Sequence, residues 1–293
     1  MPELPDCSVY KDALERHVVA HRLRAVRMRS PFLLRSVEPP LSAVEGETVT
    51  GVRLLGKRIV LAFEGELFLV LHLMIAGRLR WRDAGSGLPG RIGLAAFDFE
   101  SGSLLLTEAG TKKRASLHVV HGEEALAEHD RGGISVLDAG LADFEAALFS
   151  GNHTLKRALC DPCRFSGIGN AYSDEILHDA RISPLQRTSR LDRDEIRRLH
   201  RSTKRVMKLW IERLRKEAGD GFPEKVSAFR DEMAVHGKHG QPCPVCEAPV
   251  QRIVYAANET NYCPRCQTGG RILKDRALSR LLKDDWPRSL DEL

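Results

Sequence analysis

The sequence is informative first for what it lacks. None of its apolar runs approaches the roughly 20 residues needed to cross a bilayer, so no membrane partner is expected. The opening MPELPDCSVYKD has no basic segment followed by an apolar stretch, so no secretory signal is expected. The expected location is cytoplasmic, nucleoid-associated in a prokaryote. No internal repeat is evident. A disordered chain is excluded too, because apolar residues make up 42% and charged residues 29% of the 293, the balance of a globular protein. That length allows two domains of ordinary size, or one large and one small.

Nor does one sign of charge dominate. The net is +5, but it is unevenly placed. Residues 1–150 carry 18 Lys and Arg against 20 Asp and Glu, whereas residues 151–293 carry 27 against 20. A basic second half suits a polyanion, nucleic acid first, although a solvated basic surface has the same composition. The seven cysteines say more. Four of them stand as Cys243-x2-Cys246 and Cys263-x2-Cys266, the spacing of a four-thiolate zinc ribbon closing a tetrahedron around one structural Zn2+. Cys160-x2-Cys163 has no partner pair and is expected to be structural, and Cys7 reads as a small buried side chain.

Along the chain, Asp6 to about His21 can form a helix. TVTGVRLLGKRIVLAF and ELFLVLHLMIAGRLRW read as strands broken by glycines, and GLAAFDFE with GSLLLTEA as a hairpin turning at Ser101-Gly102. Segment 83–90 is a loop. From about Asp143 the period changes to helical in DFEAALFS, LKRALCDP, NAYSDEILHDA and a long stretch in which Ile196, Leu199, Val206, Trp210 and Leu214 make one apolar stripe. Residues 219–225 form a loop and 240–267 the ribbon. RILKDRALSRLLKDDW in the tail is a short amphipathic stretch. The fold class is therefore α+β and multidomain, with an N-terminal antiparallel β-sandwich carrying one helix, a helical domain and a C-terminal zinc ribbon.

If Met1 is removed, Pro2 presents a secondary amine. A terminal amine has a pKa near 8, so a useful fraction is neutral and nucleophilic at physiological pH. Attack on a sugar's anomeric carbon would give an iminium ion, from which base loss and strand cleavage by elimination both follow. Glu3 is adjacent and can protonate the opening sugar ring. Alone, an N-terminal Met-Pro-Glu signifies little.

Its company changes that. MPELPD, LGKRIVL, HTLKRALCDPCRFSGIGNAYSDEILHDARISP and CPVC…CPRCQ occur in one order. Together they resemble the formamidopyrimidine-DNA glycosylase / endonuclease VIII family over roughly residues 1–82 and 150–268. The resemblance implies a β-sandwich catalytic domain (1–142), a helix–two-turn–helix DNA-binding domain (143–236), a zinc-ribbon finger (237–270) and a tail (271–293). It implies a monomeric DNA-repair glycosylase with AP-lyase activity, acting on damaged DNA that is double-stranded or locally opened. Pro2 would be the Schiff-base nucleophile, Glu3 its acid/base partner, and Lys57 the hairpin lysine that contacts the flanking phosphate. Lys156 and Asn170 match the residues that hold phosphates around the flipped nucleotide. Gly167 and Gly169 let a turn present N–H groups at a helix start.

Four departures bear on substrate. The family's Glu at position 6 is Asp6. The loop whose Met fills the gap left by the extruded base reads His72-Leu73-Met74-Ile75, so Met74 or Ile75 would be the wedge. The Arg-x-Phe element has no counterpart in TEAGTKKRASL, where Lys112, Lys113 or Arg114 could substitute. The ribbon's arginine is replaced by Asn258, an amide that can still reach phosphate but without charge. The expectation is a lyase-competent enzyme whose lesion preference is shifted from 8-oxoguanine. The alternatives are a lyase-only or catalytically inactive damaged-DNA-binding protein on the same scaffold, and an RNA- or ribosome-associated module.

Overall fold

The computed structural model describes residues 1–293 apart from 225, 228, 256, 257, 276, 277, 284, 285 and 293. They fall into two compact units, Met1–Arg131 with Trp210–Ser227, and Gly132–Leu209 with Ala228–Leu293.

The first unit opens with α1 (Leu4–Val18), followed by β1 (Leu23–Met28), β2 (Val49–Leu55), β3 (Arg58–Phe63), β4 (Leu67–His72) and β5 (Gly77–Arg82). Then come β6 (Gly93–Phe99), β7 (Ser103–Glu108), β8 (Ser116–His121) and the short α2 (Glu123–Ala127). All its strand pairs are antiparallel, in two four-stranded sheets ordered β1-β6-β7-β5 and β2-β3-β4-β8. Ile59, Leu61, Leu69, Leu71 and Leu117 of one sheet share a core with Leu23, Leu79, Phe97 and Leu104 of the other, and Tyr10 and Leu14 of α1 join it. This is the expected sandwich. β3 and β4 read as nearly unbroken apolar runs because both their faces are covered. Val60, Ala62, Phe68 and Val70 point away from the main core and pack with Leu126 of α2.

The helix expected over 6–21 instead spans Leu4–Val18. Glu3 and Asp6 form a reciprocal capping box, which starts the helix early, and Pro5 lies in its first turn, where no N–H is needed. Ala20, with φ 65°, ends the run before His21. β1, β8 and α2 were not anticipated from the sequence.

The second unit begins with β9 (Ile134–Ser135), α3 (Leu141–Phe149), α4 (Leu155–Cys160), β10 (Phe165–Ser166) and α5 (Asn170–Ala180). The amphipathic α6 (Arg193–Ala218) follows, its residues from Trp210 onward counting with the first unit. The ribbon comprises the hairpin β11 (Gln251–Tyr255) and β12 (Asn258–Tyr262) with α7 (Pro264–Thr268). In the tail, only Leu278–Leu282 (α8) is a described α-helix. Its first residues pack on the ribbon instead: Leu273 joins Ile253 and Tyr262, and its N–H donates to the Tyr262 hydroxyl at 2.7 Å.

Candidate functional site

The N-terminal corner of the first unit gathers residues far apart in sequence. Pro2 is buried and Glu3 is 1% exposed. Asp6 Oδ2 accepts the Glu3 backbone N–H at 2.9 Å, while the Glu3 carboxylate accepts the N–H of Asp6. Asp6, one methylene shorter than the family's residue, is thus committed to holding Glu3 at the head of α1. Lys57 sits beside this corner at the tip of the β2–β3 hairpin. Leu55 pairs with Arg58 across a two-residue loop whose first member, Gly56, has φ 60°, as primed hairpin turns require. The Lys57 carbonyl accepts from Cys7 Sγ at 3.7 Å, anchoring the hairpin tip to α1.

The electrostatics follow from that gathering. Burial lowers the pKa of the Met1 amine, with Glu3 and Asp6 opposing the shift and Arg78 and Lys57 reinforcing it. Arg78 was missed by the sequence reading, because an arginine in GRLRWR carries no distinguishing signal. Its Nε donates to the Val226 carbonyl at 2.6 Å and its Nη1 to the Gly77 carbonyl at 2.7 Å, so its position is fixed by two separate segments. Near Lys57, His72 pairs with Arg58 across β3 and β4. Burial, then the charges of Arg58, Lys57 and His118, pushes its pKa down to about 4. His72 is therefore neutral near pH 7.

Two loops of this unit carry the other candidates. Leu73 to Gly77 is a tight turn closed by the Gly77 N–H to the Leu73 carbonyl at 2.9 Å. Met74 takes φ 52°, a conformation side chains seldom adopt, and is half-buried, whereas Ile75 is 53% exposed. Ile75, rather than Met74, is the apolar side chain the turn presents. The loop after β7 is organised by Glu108, itself 1% exposed. Its carboxylate accepts the N–H groups of Arg114 and Ala115, and its carbonyl accepts from Lys113 Nζ. Lys113 is thereby tied back, leaving Lys112 and Arg114 exposed.

In the second unit, Gly167 has φ 88° and leads into Gly169, the N-cap of α5. α4 braces this turn at two points. Lys156 Nζ donates to the Asn170 carbonyl at 2.6 Å, and Cys160 Sγ lies 3.3 Å from the Gly169 carbonyl. Lys156, Gly169 and Asn170 are thus brought together. Lys156 also pairs with the buried Asp174 at 2.5 Å. Asp174 and Glu175 went unnoticed in the sequence because adjacent acids on a helix usually face water. Here Glu175 accepts the N–H groups of Ala234, Val235 and His236, and its pKa is raised by burial in spite of them. Asn258 opens β12 opposite Tyr255, but its side chain lies outside the described residues.

The four ribbon cysteines converge. Their sulfur atoms all lie within 4.8 Å of one another, with pairs at 3.4, 3.5 and 3.9 Å. Tetrahedral thiolates at about 2.3 Å from a metal ion stand about 3.8 Å apart, so the set fits such an ion. Burial pushes the Cys263 and Cys266 thiols up, a penalty that a coordinated cation reverses by holding thiolates outright. His178 of α5 places Nε2 3.3 Å from Cys243 Sγ, an outer contact with no sequence signature.

Comparison with known proteins agrees with this geometry. Residues 1–123 match the formamidopyrimidine-DNA glycosylase N-terminal domain, residues 137–219 the H2TH domain of the same enzymes, and residues 240–269 the zinc finger found in FPG and IleRS. A formamidopyrimidine-DNA glycosylase of Thermus thermophilus is 31% identical over 92% of this chain and 100% of its own length. An uncharacterized formamidopyrimidine-DNA glycosylase-like protein of Mycobacterium tuberculosis is 38% identical over 52% of this chain and 94% of its own. Among solved structures, Lactococcus lactis Fpg in complex with abasic-site DNA superposes with a TM-score of 0.81 at 23% identity, covering 91% of this chain and 99% of that one.

Proposed function

This chain belongs to the formamidopyrimidine-DNA glycosylase family, and on that footing we propose that it excises damaged bases and nicks the strand through the amine of Pro2. The observation that carries this reading is the convergence of the N-terminus, the buried Glu3 and the Lys57 hairpin tip within one unit. With Met1 removed, the neutral Pro2 amine attacks C1′ and gives up its N–H proton, forming a C–N bond as the C1′–O4′ bond breaks and Glu3 delivers a proton to the ring oxygen. The base leaves, and the resulting iminium acidifies C2′–H. Loss of that proton expels the 3′ phosphate by β-elimination, and a second elimination can follow. Lys57 steadies the phosphate beside the reacting sugar. Burial, with Arg78 and Lys57, lowers the pKa of the Met1 amine, and the same surroundings would enlarge the neutral, attacking fraction of a Pro2 amine.

Lys156 and Asn170 are assigned to phosphates around the extruded nucleotide, with Gly169 letting the α5 start approach the backbone. Cys243, Cys246, Cys263 and Cys266 would hold one structural Zn2+, which stabilises the ribbon and takes no part in the reaction. Ile75 is the candidate wedge, and Asn258 stands where the family's ribbon has its arginine. With no aromatic in the 109–115 loop, lesion choice is assigned to oxidised pyrimidines, abasic sites or opened DNA, before 8-oxoguanine opposite cytosine.

Borohydride added during reaction with abasic-site DNA should trap a covalent complex, which Pro2→Gly weakens or abolishes. Glu3→Gln should keep DNA binding and lose base excision. A chain that binds the DNA but never crosslinks to it would be the inactive binder instead. Across a lesion panel, 8-oxoguanine paired with cytosine as the best substrate would refute the shifted preference.

A further inference from the structure

The second unit buries a carboxylate that the proposed chemistry leaves unused. Asp174, on α5, is fully buried. Its Oδ1 accepts from Lys156 Nζ at 2.5 Å. Its Oδ2 accepts from His236 Nδ1 at 2.8 Å, from the Asn261 backbone N–H at 3.1 Å and from Asn261 Nδ2 at 3.3 Å. These donors come from α4, from the segment entering the ribbon, and from β12, which lie 18, 62 and 87 residues away in sequence. A buried carboxylate is strongly unfavourable unless its donors converge, so this site exists only when all three segments are in place.

The consequence falls on Lys156. An ammonium has three N–H groups. The Asn170 carbonyl and Asp174 take two of them, which fixes the direction of the third. The ion pair also cancels most of the long-range charge of Lys156. The side chain is thus suited to give one aimed hydrogen bond to an external acceptor, with little general attraction for anions.

We propose that Asp174 is a positioning residue coupling the cysteine ribbon to the Lys156–Asn170 grip. Asn261, two residues before Cys263, completes the carboxylate from the ribbon side, and Asp174 aims Lys156 in return. A folded ribbon is therefore required for an ordered grip. The proposal rests on the assignment of Lys156 to a DNA phosphate, but half of its test is independent of DNA.

That half is acylation of lysine amines on the full metal-loaded chain, read by mass spectrometry. Lys156 should be protected in the wild type. Its labelling should rise about tenfold in Asp174→Asn, as the loss of a charged hydrogen bond implies. It should also rise in Asn261→Pro, which removes both the backbone and the side-chain donor to Asp174, each variant being checked by circular dichroism to be folded. Unchanged protection in a folded Asn261→Pro chain would overturn the coupling, and unchanged protection in Asp174→Asn would overturn the positioning.

The other half compares a duplex containing a tetrahydrofuran abasic analogue with an undamaged duplex over a salt series. Asp174→Asn should reduce the lesion-to-undamaged affinity ratio about tenfold. It should also steepen the salt dependence by up to about one counterion, because the charge of Lys156 is unmasked. If both affinities instead fall in parallel with thermal stability, Asp174 is only structural. If the labelling behaves as stated while the wild type shows no preference for the abasic duplex, the coupling stands and the DNA assignment of Lys156 falls.

Discussion

The proposed chemistry rests on single residues whose neighbours would make it feasible. The Met1 amine has its pKa lowered by burial, and Arg78 is the stronger of the two cations that add to the effect, so a Pro2 amine exposed by removal of Met1 would be expected to feel the same groups. Arg78→Gln removes a positive neighbour, so the amine's pKa should rise. The acidic limb of single-turnover strand nicking should then move to higher pH. An unmoved or downshifted limb would place Arg78 outside the amine's field. His72 offers a second pH test. Its folded pKa of about 4 lies below the unfolded value near 6.5. Between those values the unfolded chain holds a proton that the folded chain refuses, so stability falls as pH drops through that window. The wild-type advantage over His72→Asn should therefore be full at pH 7 and shrink by on the order of 2 kcal/mol by pH 4. A constant difference in chemical denaturation across that range would contradict the assignment. At this scale, motifs single out Pro2, Glu3, Lys57 and the cysteines as candidates. Arg78, Glu108 and Asp174 stayed invisible, because their roles arise from partners that only folding brings close.

Elements were legible in proportion to how simply they are buried. β3 and β4, covered on both faces, appear in the sequence as long apolar runs. β1 has only Leu23 buried, and its alternation is accordingly faint. The tail stretch is amphipathic in the sequence, yet Leu273 is spent on the ribbon, packed with Ile253 and Tyr262. The turn between β4 and β5 shows how backbone fixes the direction of a candidate wedge side chain. A Cβ added at Gly77 would lie 2.3 Å from the Leu73 carbonyl oxygen, so Gly77→Ala must displace the turn that presents Ile75. Ile75→Ser, at an exposed position, should change stability by less than about 0.5 kcal/mol while weakening binding to lesion duplexes. Gly77→Ala should lose both, by about 1–3 kcal/mol in stability. Thermal melts beside titrations with abasic-analogue duplex separate the two. Equal lesion affinity for Ile75→Ser and wild type would remove Ile75 as the wedge.

For the whole molecule, two compact units with separate cores imply separable responses. The ribbon's own apolar cluster is small and built around the cysteines, so its folding free energy would rest on a structural metal ion held by them. Chelation should lower the melting transition of the second unit and leave that of the sandwich in place. A single transition unmoved by chelator would contradict a structural metal. The most direct test of the central claim is peptide mapping of the borohydride-trapped protein–DNA adduct by tandem mass spectrometry. The account predicts a deoxyribose remnant on the nitrogen of Pro2, in chains that have lost Met1. A remnant on Lys57 or any other lysine, or an active chain that still carries Met1, would contradict it.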